Sequence, residues 1–375
     1  MKILHIYKDY YPVLGGIENH IRVLAEAGVA RGHAVTVLVT SLDRRTCRET
    51  LNGVKVIKTA RWVNVSSAPI SPAMFREART LGRTADIVHL HFPYPLGELA
   101  HLFSGSRAGT VITYHSDIVR QKTLRAVYQP FLWRILRKAD RLIATSGRYI
   151  DTSPYLRRFK NKCAIIPLGT HVDQFAKVDQ QRVATLRQQL QKNDAERLLL
   201  SVGRLRYYKG LDDLIRALPG IPHARSIIAG SGPMEAEWKE LARSVGVADR
   251  VTFAGEVPDE ELPLYYAAAD VFVLPANARA EAFGTVIVEA LAAGKPVIST
   301  EVGTGTSWVN VDGETGLVVP PHDPTALGQA INTLLNDDGL RHQLGQAAQA
   351  RAYAEFTVEQ MLDRVYETYA ALNPS

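Results

Sequence analysis

The chain has 375 residues, 46% hydrophobic and 22% charged, the composition of an ordinary globular protein of about two domains. No apolar run reaches the roughly 18 residues of a membrane span, MKILHIY reads as a strand rather than a signal-peptide core, and Cys47 and Cys163 have neither metal-ligand spacing nor a disulfide framework, which fits a reducing cytoplasm. The net charge of +6 hides an asymmetry: residues 1–170 hold 26 Lys+Arg against 11 Asp+Glu (+15), and residues 171–375 hold 18 against 27 (−9). Such a basic half favours an anionic partner, phosphate or acidic lipid. Nucleic acid is the weaker reading, because no recognition module accompanies the charge.

In chain order, apolar β-branched runs alternate with helical patterns. Strands are expected at ILHIYK, AVTVLVT, VKVIKT, DIVHLHF, TVITYH, RLIATS and CAIIPLG, with helices near 17–31, 72–84, 95–105, 122–138 and 146–159. Buried runs separated by helices predict a parallel sheet covered on both faces. LGTHVDQF, residues 168–175, reads as an interdomain connection, and a helix near 181–192 follows. The alternation restarts with RLLLSVG, RSIIAG, RVTFAG, DVFVLPA, KPVIST and GLVVP. Two domains are therefore expected, residues 1–170 and 171–352, with a C-terminal helix at about 353–372 packing back onto the first. Doubly wound units in tandem bind ligands between facing strand ends.

Several loops at strand ends carry candidate chemistry. In YYPVLGGIENHI, Gly15-Gly16 precede a helix, so backbone could approach a ligand with no Cβ in the way and the helix's positive end could face a diphosphate. A packing turn is the plainer alternative. TYHSD puts His115 and Asp117 where the fifth strand ends, and a histidine there can donate or accept at neutral pH or be purely structural. His89 and His91 share a strand face as metal ligands would, with no third ligand or acidic partner evident. SVGRLRYYKG supplies Arg204, a rigid fork, and Lys209, a mobile point charge, which together suit two neighbouring phosphates unless both are solvated loop cations. EAFGTVIVEALAAGKPVIST places Glu281 and Glu289 eight residues apart at the start of an apparent helix, about 12 Å along its axis. Phe283, Gly284 and Thr285 between them would offer free N–H groups to an anion. Neither G-x-G-x-x-G nor G-x-x-x-x-G-K-[ST] occurs, which removes the usual signatures of NAD enzymes and P-loop ATPases.

These features together resemble the retaining glycosyltransferases of family 4, whose GT-B fold is α/β, two doubly wound Rossmann-like parallel-sheet domains facing across a cleft. The resemblance covers essentially the whole chain. Its most specific element is the E-x7-E pattern, Glu281-AFGTVIV-Glu289, supported by Gly15-Gly16, the histidine of TYHSD, the Arg…Lys of GRLRYYKG and the turn His322-Asp323-Pro324. It implies that Glu289 accepts hydrogen bonds from ribose hydroxyls and that Arg204 and Lys209 hold the diphosphate. It further implies that Glu281, with the N–H groups of Phe283, Gly284 and Thr285, binds the donor sugar. Gly15-Gly16 would approach the diphosphate, His115 the transferred sugar, and Glu256 and Val257 of FAGEVP the base. VGTGTSWV departs from the G-G-x-x-E that often follows the E-x7-E helix and looks more like mannosyltransferases of bacterial surface-polysaccharide assembly. That similarity favours GDP-mannose over a UDP-sugar as donor. The chain contains no D-x-D, so Arg204, Lys209 and helix N-termini would stabilise the leaving phosphate without a metal cofactor.

Residues 118–141 combine Arg120, Lys122, Arg125, Arg134, Arg137, Lys138 and Arg141 with Val127, Tyr128, Phe131, Leu132, Trp133 and Ile135. A basic helix with exposed aromatics reads as a membrane-surface element, and with the +15 half it suggests a glycan or lipid-linked acceptor reached from the cytoplasmic face of an anionic membrane. A packed domain helix with solvated cations is the alternative. Two other functions fit the architecture: a nucleotide-sugar epimerase, and a non-catalytic nucleotide-sugar or polyanion-binding module.

Overall fold

The computed structural model describes residues 1–13, 15–65, 68–117, 122–193 and 195–373. They group into two compact units, Met1–Pro167 together with the chain from Met361 onward, and Leu168–Gln360.

The first unit is built on β1 (Lys2–Ile6), β2 (Ala34–Thr40), β3 (Cys47–Leu51), β4 (Val54–Thr59), the short pair β5 (Val63–Val65) and β6 (Ala68–Ile70), then β7 (Ile87–Phe92), β8 (Gly109–Tyr114), β9 (Arg141–Ala144) and β10 (Cys163–Ile165). All but β5 and β6 form an eight-stranded sheet in the order β10-β9-β8-β7-β1-β2-β4-β3. Pairing is parallel except where β3 runs antiparallel to β4. The seven apolar runs read from the sequence all became strands, and burial rewards most positions of the inner ones, whereas β10 at the sheet edge is only partly buried. In β7, even His89 and His91 are buried.

Three elements depart from expectation. β3 is a polar edge strand, CRETL, exposed at four of its five positions, and so carries no apolar signal. Its signal lies in the turn, where Asn52 (φ 49°) and Gly53 (φ 81°) form the two-residue positive-φ connection that joins it to β4. The helix expected over 146–159 splits into Gly147–Thr152 and a 3₁₀ segment, Leu156–Lys162. Pro154, which cannot donate to a helical ladder, lies between them. The helix Lys122–Lys138 forms with the expected bounds, but its aromatics are not displayed to solvent. Tyr128, Leu132, Ile135 and Leu136 are buried. Trp133 packs on Tyr155 and Phe159 beneath the Arg158 guanidinium, and Phe131 meets Phe103 edge-on. The packed-helix alternative describes this segment; Arg120 and the side chains of Lys122, Arg125 and Val127 lie outside the described residues.

The second unit holds a six-stranded parallel sheet of β11 (Arg197–Val202), β12 (Ala224–Ala229), β13 (Val251–Gly255), β14 (Val271–Leu274), β15 (Val297–Thr300) and β16 (Gly316–Val319), in the order β13-β12-β11-β14-β15-β16. Alternate residues feed two cores. Leu199, Val271, Val273 and Ile298 face Leu214, Ile215 and Trp238, whereas Leu198, Leu200, Phe272 and Leu274 face Ile287, Leu291 and Phe356. The turn at His322 serves this packing. Asp323 caps the helix Pro324–Asn336 through the Ala326 N–H at 2.9 Å.

The C-terminal helical segment is two helices, Asp338–Glu355 and Val358–Leu372. The second belongs to the first unit, where the Tyr366 hydroxyl donates to the Leu24 carbonyl at 2.8 Å and Tyr369 packs edge-on against His89.

Candidate functional site

In the second sheet the strand order reverses between β11 and β14, the point at which such sheets bind ligands beyond their carboxyl ends. The loops that leave these two strands carry Lys209 and Glu281, so topology alone brings the pair together. Lys209 Nζ lies 2.8 Å from Glu281 Oε2, with side chains 10% and 12% exposed. Burial by itself would lower the Lys209 pKa; the Glu281 carboxylate outweighs it and raises the value, so the ammonium is charged at neutral pH. Glu289 contributes to the same field.

The local backbone explains why the loops meet. Gly210 adopts φ 65°, and a Cβ there would stand 2.0 Å from the Pro275 carbonyl oxygen. The Asn277 N–H donates to the Tyr208 carbonyl at 3.0 Å, stitching the loop after β14 to the loop after β11. Gly210→Ala should therefore destabilise the second unit by about 2 kcal/mol or more, read by urea denaturation, and weaken nucleotide binding with it. The loop after β15 supports Glu281 from the other side: the Thr304 hydroxyl donates to the Glu281 carbonyl at 2.7 Å, and the Gly305 N–H to the Ala282 carbonyl at 2.8 Å.

One sequence expectation needs correction here. Glu281 is not on the helix, which spans only Thr285–Ala292 and is entered through Gly284 in the left-handed conformation, φ 79°. The axial rise that gave about 12 Å between the carboxylates does not apply across the four residues before it. The N–H groups of Phe283 and Gly284, just before that helix, and of Thr285, its first residue, donate no hydrogen bond among the described residues. Glu289 sits inside the helix, its Oε2 accepting from the Tyr266 hydroxyl at 2.6 Å. Burial lifts its pKa to about 7 against the pull of that hydrogen bond. Tyr266 escaped the sequence reading because in LPLYYAA it reads as part of an apolar helix face.

Arg204 is exposed and has no ion-pair partner among the described residues, leaving its fork free for an anion. Glu256 follows β13, exposed, and accepts from the Ser231 hydroxyl at 2.5 Å, while half-buried Val257 packs onto the core.

The first unit holds the remaining expected residues. Gly15 precedes the helix Gly16–Ala30 in extended backbone, φ −179°, which any residue adopts. A Cβ there would meet the Glu18 carboxylate at 2.3 Å, whereas a Cβ on Gly16 would meet nothing. The helix start is thus already engaged by Glu18, whose pKa burial raises. Open space for an approaching ligand lies over Gly16. His115 follows β8 and is 7% exposed. Its neighbour Asp117 is fully occupied with structure, its Oδ1 accepting from Tyr114 at 2.8 Å and Ser153 at 3.0 Å.

His89 and His91 do have further histidine neighbours, which the sequence reading missed: His5, His20 and His115 join them in one buried cluster. They come from four separate segments: the register of β1 on β7 pairs His5 with His89, that of β8 on β7 sets His115 just past the strand end, and His20 comes from the helix Gly16–Ala30. Burial, reinforced for most of them by neighbouring rings, holds all five neutral, with His5 down to about 3 and His20 to about 4.

The sequence and the fold have relatives among known proteins. The model for "Glycosyltransferase Family 4" matches residues 14–174 and that for "Glycosyl transferases group 1" matches residues 183–351. The chain is 38% identical to the D-rhamnosyltransferase WbpZ of Pseudomonas aeruginosa over 95% of its length and 92% of the relative's. It is 35% identical to the O-antigen chain mannosyltransferase C of Escherichia coli over 99% of both. The chain belongs to the family 4 glycosyltransferases. Its GT-B fold is shared with a solved sucrose-phosphate synthase of Thermosynechococcus elongatus, 26% identical, at a TM-score of 0.79 over 99% of this chain and 98% of that one. Anabaena HepE in complex with UDP, 21% identical, superimposes at 0.80 over 99% and 100%.

Proposed function

We propose that this glycosyltransferase moves mannose from GDP-mannose to a hydroxyl of a growing, lipid-linked surface polysaccharide, retaining the anomeric configuration and using no metal. The observation that carries the reading is the buried Lys209–Glu281 pair beside Glu289 at the point where the second sheet reverses. A glycosyl transfer must stabilise positive charge at the anomeric carbon and negative charge on the departing phosphate. Lys209 and Arg204 supply the positive field for the phosphate, the N–H groups of Phe283, Gly284 and Thr285 add to it, and Glu281 holds sugar hydroxyls. Glu289 takes the ribose diol, with Glu256 and Val257 beside the base. In this reading His115 meets the transferred sugar and Gly16 the diphosphate. The leaving phosphate oxygen takes the acceptor's proton, so no side chain needs to act as a covalent nucleophile.

The mannosyltransferase relative from Escherichia coli supports the sugar and the O-antigen context. The rhamnosyltransferase relative favours a second reading, in which the donor carries D-rhamnose, the 6-deoxy counterpart of mannose. Among the described residues no helix is long and apolar enough to cross a membrane, so a lipid-linked acceptor would be met at the surface. Trp62 and Val63, 63% and 50% exposed, offer an apolar edge for that encounter on the cytoplasmic face of an anionic membrane.

Incubating the purified protein with GDP-, UDP- and ADP-sugars in EDTA tests the reading. Slow hydrolysis of GDP-mannose to α-mannose without acceptor is expected. Interconversion of sugars without loss of nucleotide would indicate an epimerase, and no change in any donor a binding module.

A further inference from the structure

We propose that the buried chain His5–His91–His115 fixes the tautomer of His115, so that its Nδ1 presents an N–H to a hydroxyl oxygen of the bound sugar. The proposal rests on the reading that His115 faces the transferred sugar; the chain that sets its proton is a separate observation.

His5 Nδ1 lies 3.1 Å from His91 Nε2, and His91 Nδ1 lies 3.2 Å from His115 Nε2. The ring centroids are 5.4 and 5.5 Å apart, longer than the nitrogen separations by little more than the two ring radii. Each N···N line therefore runs nearly centroid to centroid, with the lone pair of one ring aimed at the N–H of the next. Three lone pairs converging on a metal ion would need the rings turned away from those lines, so the geometry is that of a hydrogen-bonded wire and not of a coordination cage.

Proton counting then leaves two states. Each neutral imidazole carries one N–H, and each of the two bonds needs one. In the first state His5 Nδ1 donates to His91, His91 Nδ1 donates to His115 Nε2, and the remaining proton sits on His115 Nδ1. In the second every donor is reversed, which leaves a bare lone pair on His115 Nδ1 and an N–H on His5 Nε2. His5 Nε2 is buried without a partner. An orphaned buried N–H is the rarer and costlier outcome, so the first state wins. His115 Nδ1 has no partner among the described residues and is the end of the wire that a ligand can use.

The surroundings keep the wire in place. His89 bonds the Tyr369 hydroxyl at 2.5 Å and the Thr113 hydroxyl at 2.7 Å, so both its nitrogens are engaged outside the wire. It stacks on His91 at 4.4 Å. His20, one turn into the helix that begins at Gly16, packs edge-on against His91 at 5.7 Å and His115 at 5.3 Å. Neither ring of the second bond can flip without displacing these neighbours. His5, His20, His89 and His91 are thus positioning residues acting through His115.

The test is imidazole ¹⁵N spectroscopy of the full chain with ¹⁵N-histidine at pH 7.5, beside donor-hydrolysis kinetics. Wild-type His115 should be the Nδ1–H tautomer. In His91→Phe it should relax to the Nε2–H form that free imidazole side chains favour in water, with kcat down about tenfold and donor KM unchanged. His91→Asn, whose amide can donate from the Nδ1 position, should restore both. An Nε2–H tautomer in the wild type would overturn the proposal, and so would a His115 signal unaltered in His91→Phe. If His91→Phe fails to fold, the wild-type spectrum decides alone. Stoichiometric Zn²⁺ binding that His20→Ala abolishes would also overturn it. A correct tautomer combined with a fully active His115→Ala would leave the wire standing and refute the sugar-facing role.

Discussion

Lys209→Met should lower kcat for donor hydrolysis by about 10²–10³-fold, the effect of removing one preorganised charge aimed at a developing anion. It should also cost stability, because Glu281 would be left as a carboxylate only 12% exposed with its ion-pair partner gone. Breaking a buried pair in this way costs about 3–5 kcal/mol. The two effects separate in the double variant Lys209→Met/Glu281→Gln, which removes the orphaned charge. Its thermal melting point should recover most of the loss, while kcat stays low. A double variant that regained turnover would mean that Lys209 acts only by neutralising Glu281, and its role at the phosphate would be lost.

Nucleotide affinity should depend on pH through Glu289. Its pKa is raised to about 7 by burial, and a carboxylate that accepts from a ribose diol must shed its proton before the nucleotide binds. Protonation therefore competes with GDP: affinity is full above pH 8 and falls by about tenfold for each unit below 7. Tyr266→Phe removes a donor that favours the ionised form, so the midpoint should move to higher pH. Glu289→Gln should bind GDP about 10- to 100-fold more weakly with a flat profile. Calorimetric titrations between pH 5.5 and 8.5 check all three curves. An unchanged profile in Glu289→Gln would assign the proton to another group.

The strands were legible because both sheets are parallel apart from β3 and their inner strands are largely buried, which writes each of those as a mostly apolar run such as AVTVLVT or VKVIKT. What the chain hid was of three kinds. β3 hid behind a polar edge sequence, although Asn52-Gly53 marked it. Glu281 was placed on a helix because the periodicity runs on from 281 to 292, and only the left-handed Gly284 interrupts it. The histidine cluster was invisible because His5, His89, His91 and His115 meet through strand register and His20 through the packing of its helix, not through sequence proximity. The pairing of Lys209 with Glu281 was half legible: both were singled out as ligand-binding groups, yet their contact follows from the strand reversal between β11 and β14, which no local pattern encodes.

Those misreadings have a common physical origin. Local patterns report which side chains a strand or helix buries, and they do not report which loops a sheet order brings together. The basic helix Lys122–Lys138 illustrates the converse. Its composition suggested a membrane surface, but Trp133 and Tyr128 serve the interior of their own unit, and the membrane reading now leans on the exposed edge at Trp62 and Val63.

A crystal structure of the protein soaked with GDP-mannose tests the donor site most directly. The expected result places the ribose hydroxyls on the Glu289 carboxylate and the diphosphate within hydrogen-bond reach of Lys209 Nζ and the Arg204 guanidinium. A nucleotide bound elsewhere, with the Lys209–Glu281 pair untouched and remote from it, would contradict the account.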